Sequence, residues 1–239
     1  MGLGWLGRAT GGPIAADRTI ERARMVAQQV EARGVSDTSV LAAMRALPRE
    51  DFMPPALQGA AYDDAALAIG EGQTISQPYI VAITLAGLRL TGSERVLEVG
   101  TGSGYVAALL TRLAREVYTV ERIGSLAAAA RERLDRLGYA AHVREGDGSL
   151  GWPEHAPYDA IAVAAVAPRV PSALIAQLSP GGRMVIPVKD GARQTLVRVT
   201  RGEGNEVSID RLEDVRFVPL IGAEGEPVAG AETIPGARS

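Results

Sequence analysis

The chain is predicted to be an α/β protein built on a doubly wound, mostly parallel seven-stranded sheet. An antiparallel C-terminal edge and an added N-terminal helical segment complete it. Three observations predict this. Short apolar runs rich in β-branched residues recur along the middle of the chain at 95–99, 116–121, 141–145, 158–165 and 183–188, and helical patterns separate most of them. The run Tyr158 to Ala165 (YDAIAVAA) is apolar almost throughout, as a strand buried on both faces must be. The last two runs, 194–200 and 214–218, are joined through a glycine-rich turn at Gly202 to Gly204 that leaves no room for a crossover helix, so they pair antiparallel.

The elements follow in order. Met1 to Ala16 is glycine-rich and reads as a flexible arm, with Trp5 and Leu6 able to dock on the body. Arg18 to Arg33 carries Ile20, Ala23, Ala27 and Val30 on one stripe and ends at Gly34, a helix with a glycine stop. Asp37 to Ala46 is a second helix, capped by Asp37 or Ser36 and followed by Pro48. Between Arg49 and Gly72, Pro54, Pro55, Gly59 and Gly70 break any long period, and Gly70 to Ala82 (GEGQTISQPYIVA) reads as a loop entering an apolar helix. Ser76 has two readings there: the N-cap of that helix, with Pro78 tolerated in its first turn, or, with Thr74, a hydroxyl that holds a polar substrate. Helices are expected at Ile123 to Leu137, stopped by Gly138, and at Pro171 to Leu178. Residues 17–222 form one domain in this reading, and 223–239, dominated by Gly, Pro, Glu and Ala, a disordered tail.

The chemistry is concentrated at Val96 to Leu110 (VLEVGTGSGYVAALL). A buried strand, a turn with glycines at Gly100, Gly102 and Gly104, and a helix form the first half of a Rossmann-like nucleotide-binding βαβ unit. The dinucleotide fingerprint G-x-G-x-x-G would place its third glycine at Tyr105, where a ring is awkward for a pyrophosphate on the helix N-terminus. The observed G-x-G-x-G preceded by Glu98 instead resembles the first motif of class I S-adenosylmethionine-dependent methyltransferases. Glu121 ends the next strand about 17 positions after Gly104, near the ~20-residue spacing at which an acid meets a ribose diol. The alternative for Glu121 is a solvated strand-end charge. Asp147, between Gly146 and Gly148 after the third strand, can receive an adenine amino group or cap a neighbouring turn.

Composition narrows the classes. With 46% hydrophobic and 22% charged residues in 239, the chain is of ordinary globular make-up. A net charge of −3 without a basic stripe gives no nucleic-acid footprint. There is no cysteine and there are two histidines, His142 and His155, so disulfides, thiolate chemistry and a histidine metal cluster are excluded and no metal is expected. No apolar run approaches the ~20 residues that span a bilayer, and no signal peptide is evident, so the expectation is a cytoplasmic monomer without membrane partners.

Taken together, GEGQTISQPYIVA, VLEVGTGSGYVAALL, VYTVERI, GDGSLGWPEHAPYDAI, PGGRMVIPV and VRFVPL stand in the order found in protein-L-isoaspartate O-methyltransferases. MVAQQVEARGVSD and LPREDFMPP resemble that family's helical N-terminus, so the likeness spans roughly Arg22 to Leu220. The resemblance implies S-adenosyl-L-methionine as cofactor and, as substrate, damaged proteins or peptides carrying isoaspartyl residues. Their α-carboxylate is methylated, the ester collapses to a succinimide, and hydrolysis returns part of it to aspartate. It further implies Glu98, Gly100, Thr101, Gly102, Ser103 and Gly104 in the cofactor loop, Glu121 and Arg122 at the ribose, and Asp147 with Gly148 at the adenine. Ser76 takes the active-site position, with Thr74 and Ile75 beside it. Relatives commonly have Pro where Ala68 precedes Ile69-Gly70, and Thr where Ala164 stands, departures that fall on the substrate side.

A substrate carboxylate is ionised at pH 7, given a reference pKa of ~4, and attacks a sulfonium methyl without a general base. The scarcity of histidine is therefore no obstacle, and Ser76 is expected to position substrate rather than act as a nucleophile. Two rival readings are an aspartate O-methyltransferase of a dedicated biosynthetic peptide and a nicotinamide oxidoreductase.

Overall fold

The structure, a computed structural model, describes residues 18–204 and 206–227. The arm expected at 1–16 and positions 228–239 of the expected tail lie outside the described residues.

Alternating apolar strands and helices produce the expected layers. β1 (Leu67–Gly70) and β2 (Gln73–Ile75) form a small antiparallel hairpin. The main strands are β3 (Arg95–Val99), β4 (Glu116–Glu121), β5 (His142–Glu145), β6 (Tyr158–Val163), β7 (Leu178–Asp190), β8 (Arg193–Arg201) and β9 (Val207–Asp214). They lie in the order β5-β4-β3-β6-β7-β8-β9, parallel from β5 to β7 and antiparallel from β7 to β9. β3, β4 and β6 are buried along nearly their whole length, which explains their continuous apolar sequences.

Period-two alternation sends side chains to two cores. Val96, Val117, Ala160 and Ala162 face one, together with α3 (Pro78–Gly87), α4 (Tyr105–Leu110) and the N-terminal helices. Leu97, Val99, Tyr118, Val120, Ile161 and Val163 face the other, which includes Leu174 of α6 (Ser172–Ala176). α5 (Gly124–Leu137) buries Leu126, Ala127, Ala130 and Leu134 and stops at Gly138, whose left-handed φ of 77° suits glycine.

The N-terminal segment belongs to the core. Met25, Val26, Val30, Met44, Leu47 and Phe52 are each exposed by 2% or less in the same cluster as α3 and α4. At ~1.5–3 kcal/mol per buried large apolar side chain, this packing outweighs any local helix preference. The expected helix 18–33 is α1 (Thr19–Met25) followed by a wider π turn at Val26–Val30 and a 3-10 turn at Glu31–Arg33. α2 (Thr38–Ala46) is capped by Asp37, whose Oδ1 accepts from the Ser39 and Val40 amides at 3.0 Å each.

Three expectations change. The stretch 70–82 contains β2 rather than only loop. β7 continues through Pro180-Gly181-Gly182, absorbing the turn as an irregularity in its pairing with β6. The last strand is Val207–Asp214, not 214–218. β9 is mostly exposed, and its apolar alternation is confined to Val207 and Ile209 before Asp210-Arg211 interrupt it, whereas Val215 and Leu220 are buried and anchor an irregular crossing. The Val166 amide donates to Val218 O and the Leu220 amide to Val166 O, carrying 215–220 past the carboxyl end of β6.

Candidate active site

The strand order reverses between β3, whose crossovers lead outward to β4 and β5, and β6, which starts the opposite half. Ligands of open α/β sheets bind at the carboxyl ends of strands at such a switch point. A cavity of about 870 Å3 lies there, lined by Val99 and Gly100 after β3, Val120 to Ile123 at the end of β4, Gly148 after β5, and Ala164 and Ala165 after β6. Gly100 and Gly102 have φ of 93° and 51°, so the loop after β3 turns through left-handed conformations that side-chain-bearing residues rarely adopt. At Gly148 space is decisive: a Cβ would lie 2.6 Å from Val99 Cγ1.

Glu121 is 6% exposed, which rules out the solvated-charge reading. Its Oε2 accepts from the Gly102 amide at 2.9 Å and its Oε1 from the Ile123 amide at 3.0 Å. Each oxygen retains a lone pair, and the carboxylate borders the cavity. A diol therefore has two acceptors waiting side by side, which fits the ribose of S-adenosyl-L-methionine. The volume, the small residues at the loop and this carboxylate suit that cofactor as a whole.

Glu98 lies beneath the loop, not in the cavity. It pairs in register with Thr119 across β3 and β4, and Thr119 Oγ1 donates to Glu98 Oε2 at 2.6 Å. Thr101 Oγ1 lies 2.6 Å from Thr119 Oγ1, so Glu98 supports the loop through two hydroxyls. Its other oxygen, Oε1, is buried without a partner. Burial, with a smaller push from the Glu121 charge, raises the Glu98 carboxyl to about 8. Glu98 is thus a neutral acid at pH 7.

The acceptor side is carried by β2 and the start of α3. Ser76 and Thr74 line the same cavity as Gly100 and Glu121, while Ile75 is buried beneath them. The N-cap of α3 is Gln77, with no side-chain capping bond. The capping reading of Ser76 therefore gives way, and among the described residues its hydroxyl has no protein partner. The hairpin touches the donor loop directly, since a Cβ at Gly102 would lie 3.3 Å from Ile69 Cδ1.

Asp147 turns the other way. Its Oδ1 accepts from Ser149 N at 2.9 Å and Ser149 Oγ at 2.7 Å, and its Oδ2 from Ala223 N at 2.7 Å. Of the two readings, the carboxylate fulfils the cap, and Gly148 is the member of the pair that lines the cavity. The start of the expected tail is held by the same contacts: the Glu224 amide donates to Ser149 Oγ at 3.0 Å, and Ser172 Oγ donates to the Glu224 carboxylate.

The cavity thus brings together Thr74, Ser76, Gly100, Gly102, Glu121, Arg122 and Gly148. Ile75, Glu98, Thr101, Ser103, Gly104 and Asp147 stand behind its wall among the described residues. Thr101 and Ser103 are buried, Ser103 Oγ accepting from Tyr105 N at 3.3 Å, and Gly104 takes a left-handed turn into α4. The Tyr105 ring does not obstruct the loop as its size suggested. It turns into the core, 1% exposed, with its centroid 5.6 Å from that of Phe52. Lining residues not singled out from sequence include Asp64, Gln77 and Val215 to Pro219. The VRFVPL motif signalled the last of these only as part of a resemblance.

A reversed sheet with its glycine loop and acid-tipped neighbour opening on one cavity is the framework of a class I S-adenosylmethionine-dependent methyltransferase. The family model described as protein-L-isoaspartate(D-aspartate) O-methyltransferase matches residues 20–225. The chain belongs to the protein-L-isoaspartate O-methyltransferase family. Protein-L-isoaspartate O-methyltransferase 1 of Rhodopseudomonas palustris (strain HaA2) is 57% identical over 218 residues, covering 89% of each chain. Protein-L-isoaspartate O-methyltransferase 2 of Pelobacter propionicus is 53% identical over 215 residues, 89% of this chain and 96% of that one. A solved protein-L-isoaspartate O-methyltransferase superposes with a TM-score of 0.76 at 30% identity, covering 85% of this chain and 67% of the other. A Plasmodium falciparum structure described as a β-aspartate methyltransferase with S-adenosyl-L-homocysteine superposes with a TM-score of 0.72 at 26% identity, covering 84% and 98%.

Proposed function

We propose that this chain repairs damaged proteins by methylating the α-carboxylate of L-isoaspartyl residues, using S-adenosyl-L-methionine. One observation carries the reading beyond family membership: the donor loop and the Ser76 segment open onto a single cavity. When bound, the cofactor supplies a methyl group that moves in line from sulfonium sulfur to carboxylate oxygen, the sulfur keeping the electron pair. The protein's part is placement. Glu121 holds the donor's diol, with Arg122 beside it, and Gly100 and Gly102 let the donor approach bare backbone. Gly148 opens the far side for the base, behind which Asp147 fixes the turn. Ser76 and Thr74 offer hydroxyls to the acceptor carboxylate, and Ile75 anchors their strand from below. The acceptor is already ionised at pH 7, so placement and water exclusion supply the rate, with no proton to remove.

The monomeric state rests on the small number of exposed large hydrophobic residues among those described: Ile20 and Leu150 stand singly, and only Val207 and Ile209 lie together, on β9. The deciding experiment is transfer of labelled methyl to paired isoaspartyl and aspartyl peptides. Labelling of the isoaspartyl peptide alone is expected, and Ser76→Ala should lower turnover more than it lowers cofactor affinity. Labelling of the aspartyl peptide alone would instead identify an aspartate methyltransferase.

A further inference from the structure

The LPRE segment before Phe52 contains a charge that the reaction above leaves unexplained. Arg49 is 0% exposed and makes no salt bridge among the described residues. Its Nε donates to Ala61 O at 2.9 Å and its Nη2 to Ser76 O at 2.8 Å. The guanidinium carbon lies 5.1 Å from the centroid of the Tyr105 ring, the first residue of α4. Neither Nη1 nor the buried Tyr105 hydroxyl has a well-formed hydrogen bond, although the two side chains lie close enough to interact with each other, and a neutral phenol supplies no counter-charge.

Such a placement is costly. Burying an ion without a counter-charge costs several kcal/mol, and two carbonyls and a ring face offset only part of it. Burial pulls the guanidinium's pKa down from its usual value, yet arginine stays charged at any physiological pH. The protein therefore keeps a full positive charge directly behind Ser76, the residue that meets an anionic acceptor in the function proposed above.

We propose that Arg49 is a positioning residue for the acceptor, fixing the Ser76 segment through its carbonyl and lending it an uncompensated positive potential that favours a carboxylate over a neutral group. The inference rests on the isoaspartyl reading. Its contact on the other side is the Tyr105 ring, which faces the core and does not line the cavity, so the donor loop is not held by Arg49. The charge acts through the Ser76 peptide and across the cavity wall, without touching the substrate.

The test uses the full chain and two peptides, one with an isoaspartyl α-carboxylate and one with the matching α-carboxamide. Wild-type protein is expected to bind the carboxylate peptide more tightly, and Arg49→Gln, which keeps hydrogen-bond donors but no charge, to lose that preference. The KM for the isoaspartyl peptide should rise by about tenfold or more, the scale of a hydrogen bond involving a charged group, while S-adenosyl-L-methionine affinity changes by less than about twofold. Arg49→Lys should recover the carboxylate preference. Leu47→Ala, a buried neighbour, serves as a lesion that lowers the melting temperature and leaves the preference intact. Parallel loss of cofactor and peptide binding in Arg49→Gln, or an unchanged preference, would overturn the proposal. Equal binding of the two peptides by wild-type protein would overturn it even if Arg49→Gln does not fold. Absence of isoaspartyl methylation by the wild-type protein would instead remove the reading on which it stands.

Discussion

Glu98 and Glu121 are both buried acids on neighbouring strands, and their partners and position relative to the cavity assign them different tasks. Glu121 accepts two backbone amides and faces the cavity, so it is a charged acceptor for a diol. Glu121→Ala should weaken S-adenosyl-L-methionine binding by about 1–3 kcal/mol, the scale of hydrogen bonds to a charged group. Calorimetry that finds unchanged affinity would take Glu121 out of the site. Glu98 is enclosed and keeps its proton up to about pH 8, whereas in the unfolded chain the same carboxyl ionises near its ordinary 4.5. Between those values the folded state binds more protons than the unfolded one, so stability declines as pH rises from about 5 to about 8. Glu98→Gln should remove that decline, a difference on the order of a few kcal/mol across the window, visible in denaturant midpoints measured at several pH values. The identity of both acids was legible from their spacing to the glycines. Their difference was not, because it depends on how completely the packed sheet and the loop above it enclose Glu98, a property of the assembled fold.

At the level of elements, the site depends on segments joined across long stretches of sequence. The hairpin β1–β2 rests Ile69 against Gly102, and the segment after β9 returns to Asp147. The turn after β5 and residues 223–226 thus form one unit. Asp147→Ala should cost about 0.5–2 kcal/mol, as loss of a capping carboxylate does, and should speed hydrogen exchange at the Ala223 amide. Unchanged exchange there would show that the segment is held by Glu224 alone. Helices and central strands were readable because burial on one stripe or on both faces imposes a period on sequence. β9 was misplaced because its alternation stops after Val207 and Ile209 and the strand is otherwise mostly charged, and β2 was missed because three residues are too few to show alternation. Asp147 kept two readings for a similar reason: one of its partners, the Ala223 amide, lies on a segment whose composition resembled disorder.

For the whole molecule, the cavity draws on both halves of the sheet and on the segment that follows it. A ligand there ties those parts together, so S-adenosyl-L-homocysteine at about 100 times its Kd should stabilise the chain by about 2.7 kcal/mol. The melting temperature should rise in a single transition, and a rise confined to one of two transitions would separate the halves. The same topology has a cost at its far side. Among the described residues, reversing the last strands leaves β9 as an open edge, with Val207 and Ile209 exposed by 39% and 58%. An unpaired row of amides and carbonyls is a template for another strand. Asp210, held by Arg198 at 2.6 Å, and Arg211 beside it place charge where an incoming strand would dock. A protein whose proposed task is to mend ageing chains thus carries its own point of entry for aggregation, guarded by a few ionic side chains on a single strand.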